Sequence, residues 1–176
     1  MAIYGEYFAK VSLGTPGDEL YLQVDTGSTD LLVYGEGCDG CPAEADRFNW
    51  ADSKTAKPQP CSGGKYQCQS CYNNSYCAFD DGYGDGSDVT GFVLTDKFGF
   101  VGLSQTSTTS MGSIMHSTSN FEPLKVDGIF GLAYPSTSAF GANSPLIDFM
   151  SQNNYYAVRL AILASLLPSR PSLSDR

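Results

Sequence analysis

At 176 residues the chain is the size of one domain and long enough to close its own core, so a two-domain reading starts at a disadvantage. Its 41% hydrophobic and 12% aromatic content is that of a globular protein, and 19 glycines with 9 prolines imply many turns between short segments, so the expected fold is all-β. A net charge of −9 leaves no basic patch to neutralise phosphates, which argues against nucleic acid as a partner and suits an acidic compartment, where few cations remain to repel one another once carboxylates protonate.

The opening MAIYGEYFAKVSLGTP enters a strand pattern almost at once, so no leader segment is expected ahead of the fold. Residues 7–13 (YFAKVSL) and 20–24 (LYLQV) alternate and are joined by Gly-Thr-Pro-Gly-Asp, a turn cluster; together they predict a hairpin. DTGS follows, then a third short strand at 30–34 (DLLVY). Residues 35–80 read as loop-rich and carry all six cysteines and the lone Trp50. YGDGS at 83–87 is a glycine-flanked turn leading into the alternating run 89–100, a projecting hairpin. The Ser/Thr-rich stretch SQTSTTSMGS receives no element, and VDGIFGLA at 126–133 reads as an apolar strand broken by two glycines. A helix is expected from Pro145, with Ser144 as N-cap and the proline in the first turn.

The cysteines are Cys38, Cys41, Cys61, Cys68, Cys71 and Cys77. An even number in a Gly/Ser/Asn-rich stretch points to disulfides made in an oxidising compartment, with 15 possible pairings. A four-cysteine zinc site is the rival, since Cys38-x-x-Cys41 and Cys68-x-x-Cys71 are suitable pairs. The segment between those pairs exceeds the ~15–20 residues usual for such sites, and two cysteines are left over, so neither metal nor cofactor is expected. Asn73-Asn74-Ser75 is a glycosylation sequon within the same stretch and agrees with the secretory route.

Composition changes near the end. Residues 1–150 hold 18 acidic and 7 basic residues, whereas 151–176 hold one and three. The apolar part of LAILASLLPSRPSLSDR is shorter than the ~20 residues a bilayer span needs, so no membrane partner is expected. The expected division is a folded unit over residues 1–154, with a cysteine-rich insertion at about 58–79, and a divergent, disordered tail over 155–176.

By itself, an aspartate at the end of an apolar strand followed by Thr-Gly could simply bond its own turn amides. The surrounding motifs carry more. VDTGS, then YGDGS, then DGIFGLAYPS, with YFAKVSLGTPGDE, FNWADSKT and SPLIDFM around them, resemble in order the N-terminal lobe of the pepsin-like aspartic proteases, over most of residues 7–150. The resemblance implies an all-β acid-protease lobe with a flap hairpin, a psi-loop and one or two short helices.

It also implies roles. Asp25 matches the catalytic aspartate, Thr26 the threonine whose hydroxyl ties two lobes together, Gly27 the amide donor to the carboxylate, and Ser28 the serine that bonds Asp25 from outside. A carboxylate so held can act as general base on a water, given a second carboxylate against it sharing one proton. Tyr83, Gly84, Asp85 and Gly86 match the flap that closes over an extended polypeptide substrate, and closure excludes water. Ile129, in the Ile129-Phe130-Gly131 segment, is expected to form a subsite wall, and Asp127 to be structural. Cys38 and Cys41 fall where the family often closes a small disulfide loop. The pattern departs at Leu32, where many members carry a tryptophan that bonds the flap tyrosine, and in the insertion, which is longer than in pepsin.

His116, the only histidine, has no nucleophile motif or metal spacing beside it and is expected on the surface, which removes support for hydrolases needing a paired histidine. No second D-T-G or D-S-G occurs in the 176 residues. The reading that follows is an aspartic endopeptidase present as one lobe with one of two catalytic aspartates, diverging near Tyr155 and inactive alone. Its partners are then a missing C-terminal lobe or a second copy. A retropepsin-like homodimer and a non-catalytic peptide-binding or inhibitor-like module are the alternatives. The expected location is secreted, or an acidic compartment of the secretory pathway.

Overall fold

Alternating apolar residues at 7–24 form a hairpin: β2 (Glu6–Leu13) pairs antiparallel with β3 (Asp18–Asp25), from Phe8 against Gln23 to Leu13 against Asp18. This computed structural model describes residues 2–3, 6–64, 66, 68, 70–84, 86–118 and 126–155. A two-residue β1 (Ala2–Ile3) lies on the outer edge of β2. The remaining strands are β4 (Leu31–Asp39), β5 (Lys57–Pro58), β6 (Cys71–Tyr72), β7 (Tyr76–Gly82), β8 (Asp88–Phe100), β9 (Thr106–Ser117) and β10 (Gly128–Gly131). They join in one sheet of order β1-β2-β3-β10-β4-β9-β8-β7-β6, with β5 alongside β8. β2 also pairs with β8, from Val11 against Phe100 to Leu13 against Phe98, which folds the sheet over onto itself.

The arrangement at its centre is the psi-loop. β10 inserts between β3 and β4, parallel to the first and antiparallel to the second. The all-β expectation holds, with one α-helix, α1 (Pro145–Gln152), and two short 3-10 turns among the described residues.

Folding the sheet over produces two cores. Leu31, Val33, Phe92, Leu94 and Phe130 point into one; their neighbours Leu32, Tyr34, Val93 and Ile129 point into the other. A strand buried on both faces reads as a continuous apolar run, which is why LLVY shows no alternation.

Two expectations are corrected. The unassigned Ser/Thr-rich stretch is the twelve-residue β9, antiparallel to β8 and parallel to β4. Its threonines favour extended backbone, and Ser107, Thr109, Ser110 and Ser113 are buried because small side chains fit where sheet layers approach closely. The stretch 35–80 is less loop-like than expected, since β4 continues to Asp39 and β7 starts at Tyr76.

The cysteines pair as Cys38–Cys41, Cys61–Cys71 and Cys68–Cys77, leaving none free. Cys71 and Cys77 face each other across the β6–β7 hairpin, yet each is bonded elsewhere, so the two bridges tie both strands to the loop before them. The insertion is further held by Tyr72 and Tyr76, whose rings lie 5.2 and 5.3 Å from Phe92, with Trp50 edge-on at 5.8 Å.

Helix α1 begins where expected, but the Ser144 side chain makes no capping hydrogen bond. The helix is instead docked on β9: Thr109 Oγ1 donates to Asp148 at 2.8 Å, and the Gln152 amide exchanges bonds with Thr108 N and O at 2.8 and 2.7 Å. Of the predicted tail only Tyr155 is described, with its ring 6.2 Å from Phe149; the rest lies outside the described residues.

Candidate active site

Strand β3 ends on Asp25, and the chain then turns through Thr26-Gly27-Ser28 before β4. The turn cannot use sheet pairing, so its carbonyls are taken by the segment leaving β10: Leu132 N donates to Asp25 O (2.8 Å), Ala133 N to Ser28 O (2.8 Å) and Gly131 N to Asp30 O (3.0 Å). This crossing needs a glycine. A Cβ on Gly131 would sit 2.3 Å from the Thr29 carbonyl carbon and 2.6 Å from Asp30 N, both backbone atoms.

Within that frame the half-buried Asp25 carboxyl takes two donors. Gly27 N reaches Oδ1 at 2.8 Å and Ser28 Oγ reaches Oδ2 at 2.5 Å, so both oxygens are held and the carboxyl orientation is fixed. Thr26 and Gly27 are exposed, and the Thr26 side chain has no partner among the described residues. Tyr134, on the loop beyond β10, is 80% exposed.

β7 and β8 form the hairpin predicted as a flap. Its turn is closed by Tyr83 N donating to Ser87 O (2.8 Å) and Gly86 N to Tyr83 O (3.0 Å). Gly86 has φ +85°, the left-handed region that glycine enters freely. Gly84 and Gly86 face open space, and Asp85 lies outside the described residues. Tyr83 packs on the second core, which contains Ile129 at 4% exposure and the fully buried Leu32. Burial raises the Tyr83 hydroxyl's pKa, and the charges of Asp81, Asp25 and Asp30 add to the shift, so the phenol remains neutral. Leu32 offers the tyrosine no polar atom, and among charged groups the Asp81 carboxylate acts most strongly on the Tyr83 hydroxyl.

Asp81 and Asp30 are carboxylates near the site that sequence reasoning did not single out. Burial pushes the Asp81 carboxyl up, and the charges of Asp80 and Asp25 reinforce it. Asp30 is only 2% exposed, and burial pushes it up to about 6 even though Ser138 Oγ (2.6 Å) and Ala139 N (2.7 Å) donate to it. Beside it, Thr29 Oγ1 donates to Tyr134 O at 2.6 Å. Thr29 and Asp30 therefore clamp the 134–142 loop under the Asp25 turn. The available signal was two polar residues set directly before a doubly buried run, where no water can reach them.

Asp127 lies elsewhere. Its carboxylate accepts from Tyr21 N (2.7 Å) and Asp46 N (2.8 Å), and the pairing of β10 with β3 places it about four residues, some 13 Å, from Asp25. It holds loops together at the other end of the psi-loop. His116 is half-exposed, 3.4 Å from the Asp39 carboxylate. Among the described residues no group of His, Cys, Asp or Glu could hold a metal ion, and no helix is long and apolar enough to cross a membrane.

A family model described as eukaryotic aspartyl protease matches residues 6–161. The chain belongs to that family. It is 32% identical over 149 residues to syncephapepsin of Syncephalastrum racemosum and to rhizopuspepsin-5 of Rhizopus niveus, matches that cover 84% of this chain and 33% of each relative. Aspartic proteinase nepenthesin-2 of Nepenthes gracilis is 35% identical over 100 residues, 54% of this chain and 23% of the relative. The chain thus spans about a third of the length of the curated relatives it matches.

Proposed function

We propose that this chain contributes Asp25 as one of the two carboxylates of an aspartic endopeptidase, the other coming from outside the 176 residues. The observation that carries the reading is the Asp25 carboxyl held at both oxygens by Gly27 N and Ser28 Oγ, beside exposed Thr26 and Gly27. A second carboxyl set against Asp25 would share one proton with it, because two charges at such range do not both ionise; this family's dyad is the usual illustration of that coupling. The ionised member takes a proton from the water lying between them as that water attacks the peptide carbonyl, and the protonated member hydrogen-bonds the carbonyl oxygen as negative charge develops there.

The remaining parts fit an extended peptide. The β7–β8 hairpin offers backbone groups to a strand-like substrate, and Gly84 and Gly86 keep its tip free of side-chain bulk. Ile129 belongs to the buried cluster on which Tyr83 packs. Thr26 would tie this turn to the matching turn of the partner. The three disulfides fit synthesis in an oxidising compartment, and work at acid pH fits a secreted or vacuolar location.

The test is cleavage of a quenched extended peptide at acid pH, by this chain alone and with a C-terminal half of syncephapepsin supplied in trans. The chain alone is expected to show no turnover, and complementation to give turnover that Asp25→Asn abolishes. If a second copy supplies the carboxylate, turnover appears without the added half and rises with the square of chain concentration. Turnover that survives Asp25→Asn overturns the proposal. Peptide affinity unchanged by Asp25→Asn, with no turnover under any condition, favours a binding module instead.

A further inference from the structure

We propose that Asn73 is an N-glycosylation site, whose side-chain amide accepts an oligosaccharide from a lipid-diphosphate donor. Asn73-Asn74-Ser75 is the single N-x-S/T sequon in the 176 residues, and neither Asn74 nor the following Tyr76 is a proline. It forms the tip of the β6–β7 hairpin. Ser75 N donates to Tyr72 O at 3.0 Å, and both central residues have positive φ, Asn73 at +47° and Asn74 at +57°. Hairpin turns of this hand favour asparagine, so local geometry alone explains one or both residues. It does not explain the serine two positions on, whose hydroxyl makes a single bond, to Asn73 O at 3.2 Å.

Three further observations make the site usable. Asn73, Asn74 and Ser75 are all exposed, and the Asn73 side-chain amide has no hydrogen-bond partner among the described residues, so the nucleophilic nitrogen is not committed to the fold. The hairpin is anchored just outside the turn by Cys61–Cys71 and Cys68–Cys77, disulfides that form in the same compartment in which N-linked sugars are added. The position is also sterically harmless. β6 ends the order of the sheet, and β7 runs from this turn toward Tyr83, placing Asn73 at the end of the strand opposite the flap, about 20 Å away. A glycan there projects from the end of the hairpin remote from the flap turn.

The chemistry balances with the donor named. The Asn73 Nδ2 attacks the anomeric carbon of the first sugar, a C–N bond forms, and the bond from that carbon to the diphosphate oxygen breaks. The lipid diphosphate leaves with the electron pair, and the amide proton passes to a base of the transferase.

The experiment is cell-free translation of the full chain behind a cleavable leader, with endoplasmic-reticulum microsomes, scoring protease-protected material. The expected result is a one-glycan mobility shift in wild type and in Ser75→Thr, removed by an amidase that releases N-linked glycans and leaves an aspartate detectable by mass at position 73. Ser75→Ala, which changes one exposed hydroxyl, is expected to lose the shift completely while remaining protease-protected. Protected wild-type chain that migrates with Ser75→Ala overturns the proposal, as does a shift that persists in Ser75→Ala.

Discussion

The turn around Asp25 and the cysteine-rich insertion are both irregular backbone, and they are ordered in different ways. The turn contains no covalent link. It is held by backbone donors from the segment after β10 and by a buried Thr29-Asp30 pair gripping a loop more than a hundred residues away. The insertion, at the edge of the sheet, is held by two disulfides and a stack of tyrosines on Phe92. Where a segment is crossed by a central strand and rests on a buried pair, hydrogen bonds suffice to order it. Where it covers only an edge, cross-links replace the missing core.

The sharpest way to break the comparison is Gly131→Ala. A Cβ there meets backbone of Thr29 and Asp30 that cannot give way without opening the turn, so we expect a loss of about 3–4 kcal/mol in urea unfolding. The insertion should be unaffected until the whole chain unfolds, and an early loss of amide protection at residues 58–79 would contradict this.

The next effect is on pH dependence. Asp30 has its carboxyl raised from 3.8 to about 6, so the folded state holds this proton more tightly than the unfolded state does. Its contribution to stability is then complete below about pH 4 and is lost as pH rises through about 6, amounting to about 3 kcal/mol. Asp81 and Asp127, also raised by burial, act in the same direction. Asp30→Asn can still accept from Ala139 N and should flatten the decline in thermal midpoint between pH 4 and 6. An unchanged slope would remove Asp30 from the account.

The smallest effect belongs to the other region. Replacing Cys61 and Cys71 together by serine opens a ten-residue loop, and loop-closure entropy puts the cost at about 2–3 kcal/mol. Hydrogen exchange should rise in the insertion while β3, β10 and β4 keep their protection. Equal loss of protection beside Asp25 would show that the two regions are one cooperative unit.

Much of this was legible from local pattern. The β2–β3 hairpin, the β7–β8 hairpin and the helix start each depend on turn chemistry or alternation within a dozen residues. The Asp25 turn was legible because Gly27 and Ser28 reach the carboxyl from two and three residues away. β9 was not legible, since its serines are buried by layers the sequence does not display. Nor was the role of Asp30, whose partners Ser138 and Ala139 are remote in the chain, nor the disulfide pairing, where the cysteines facing each other across a hairpin are not the ones joined.

The strand that completes the Asp25 turn is β10, the last strand described in the chain. During synthesis β3 and β4 emerge about a hundred residues before it, so their pairing through residues 128–131 forms only once that strand arrives. A nascent chain that has not passed Gly131 therefore carries Asp25 on a turn whose carbonyls at Asp25, Ser28 and Asp30 still lack the donors that brace them.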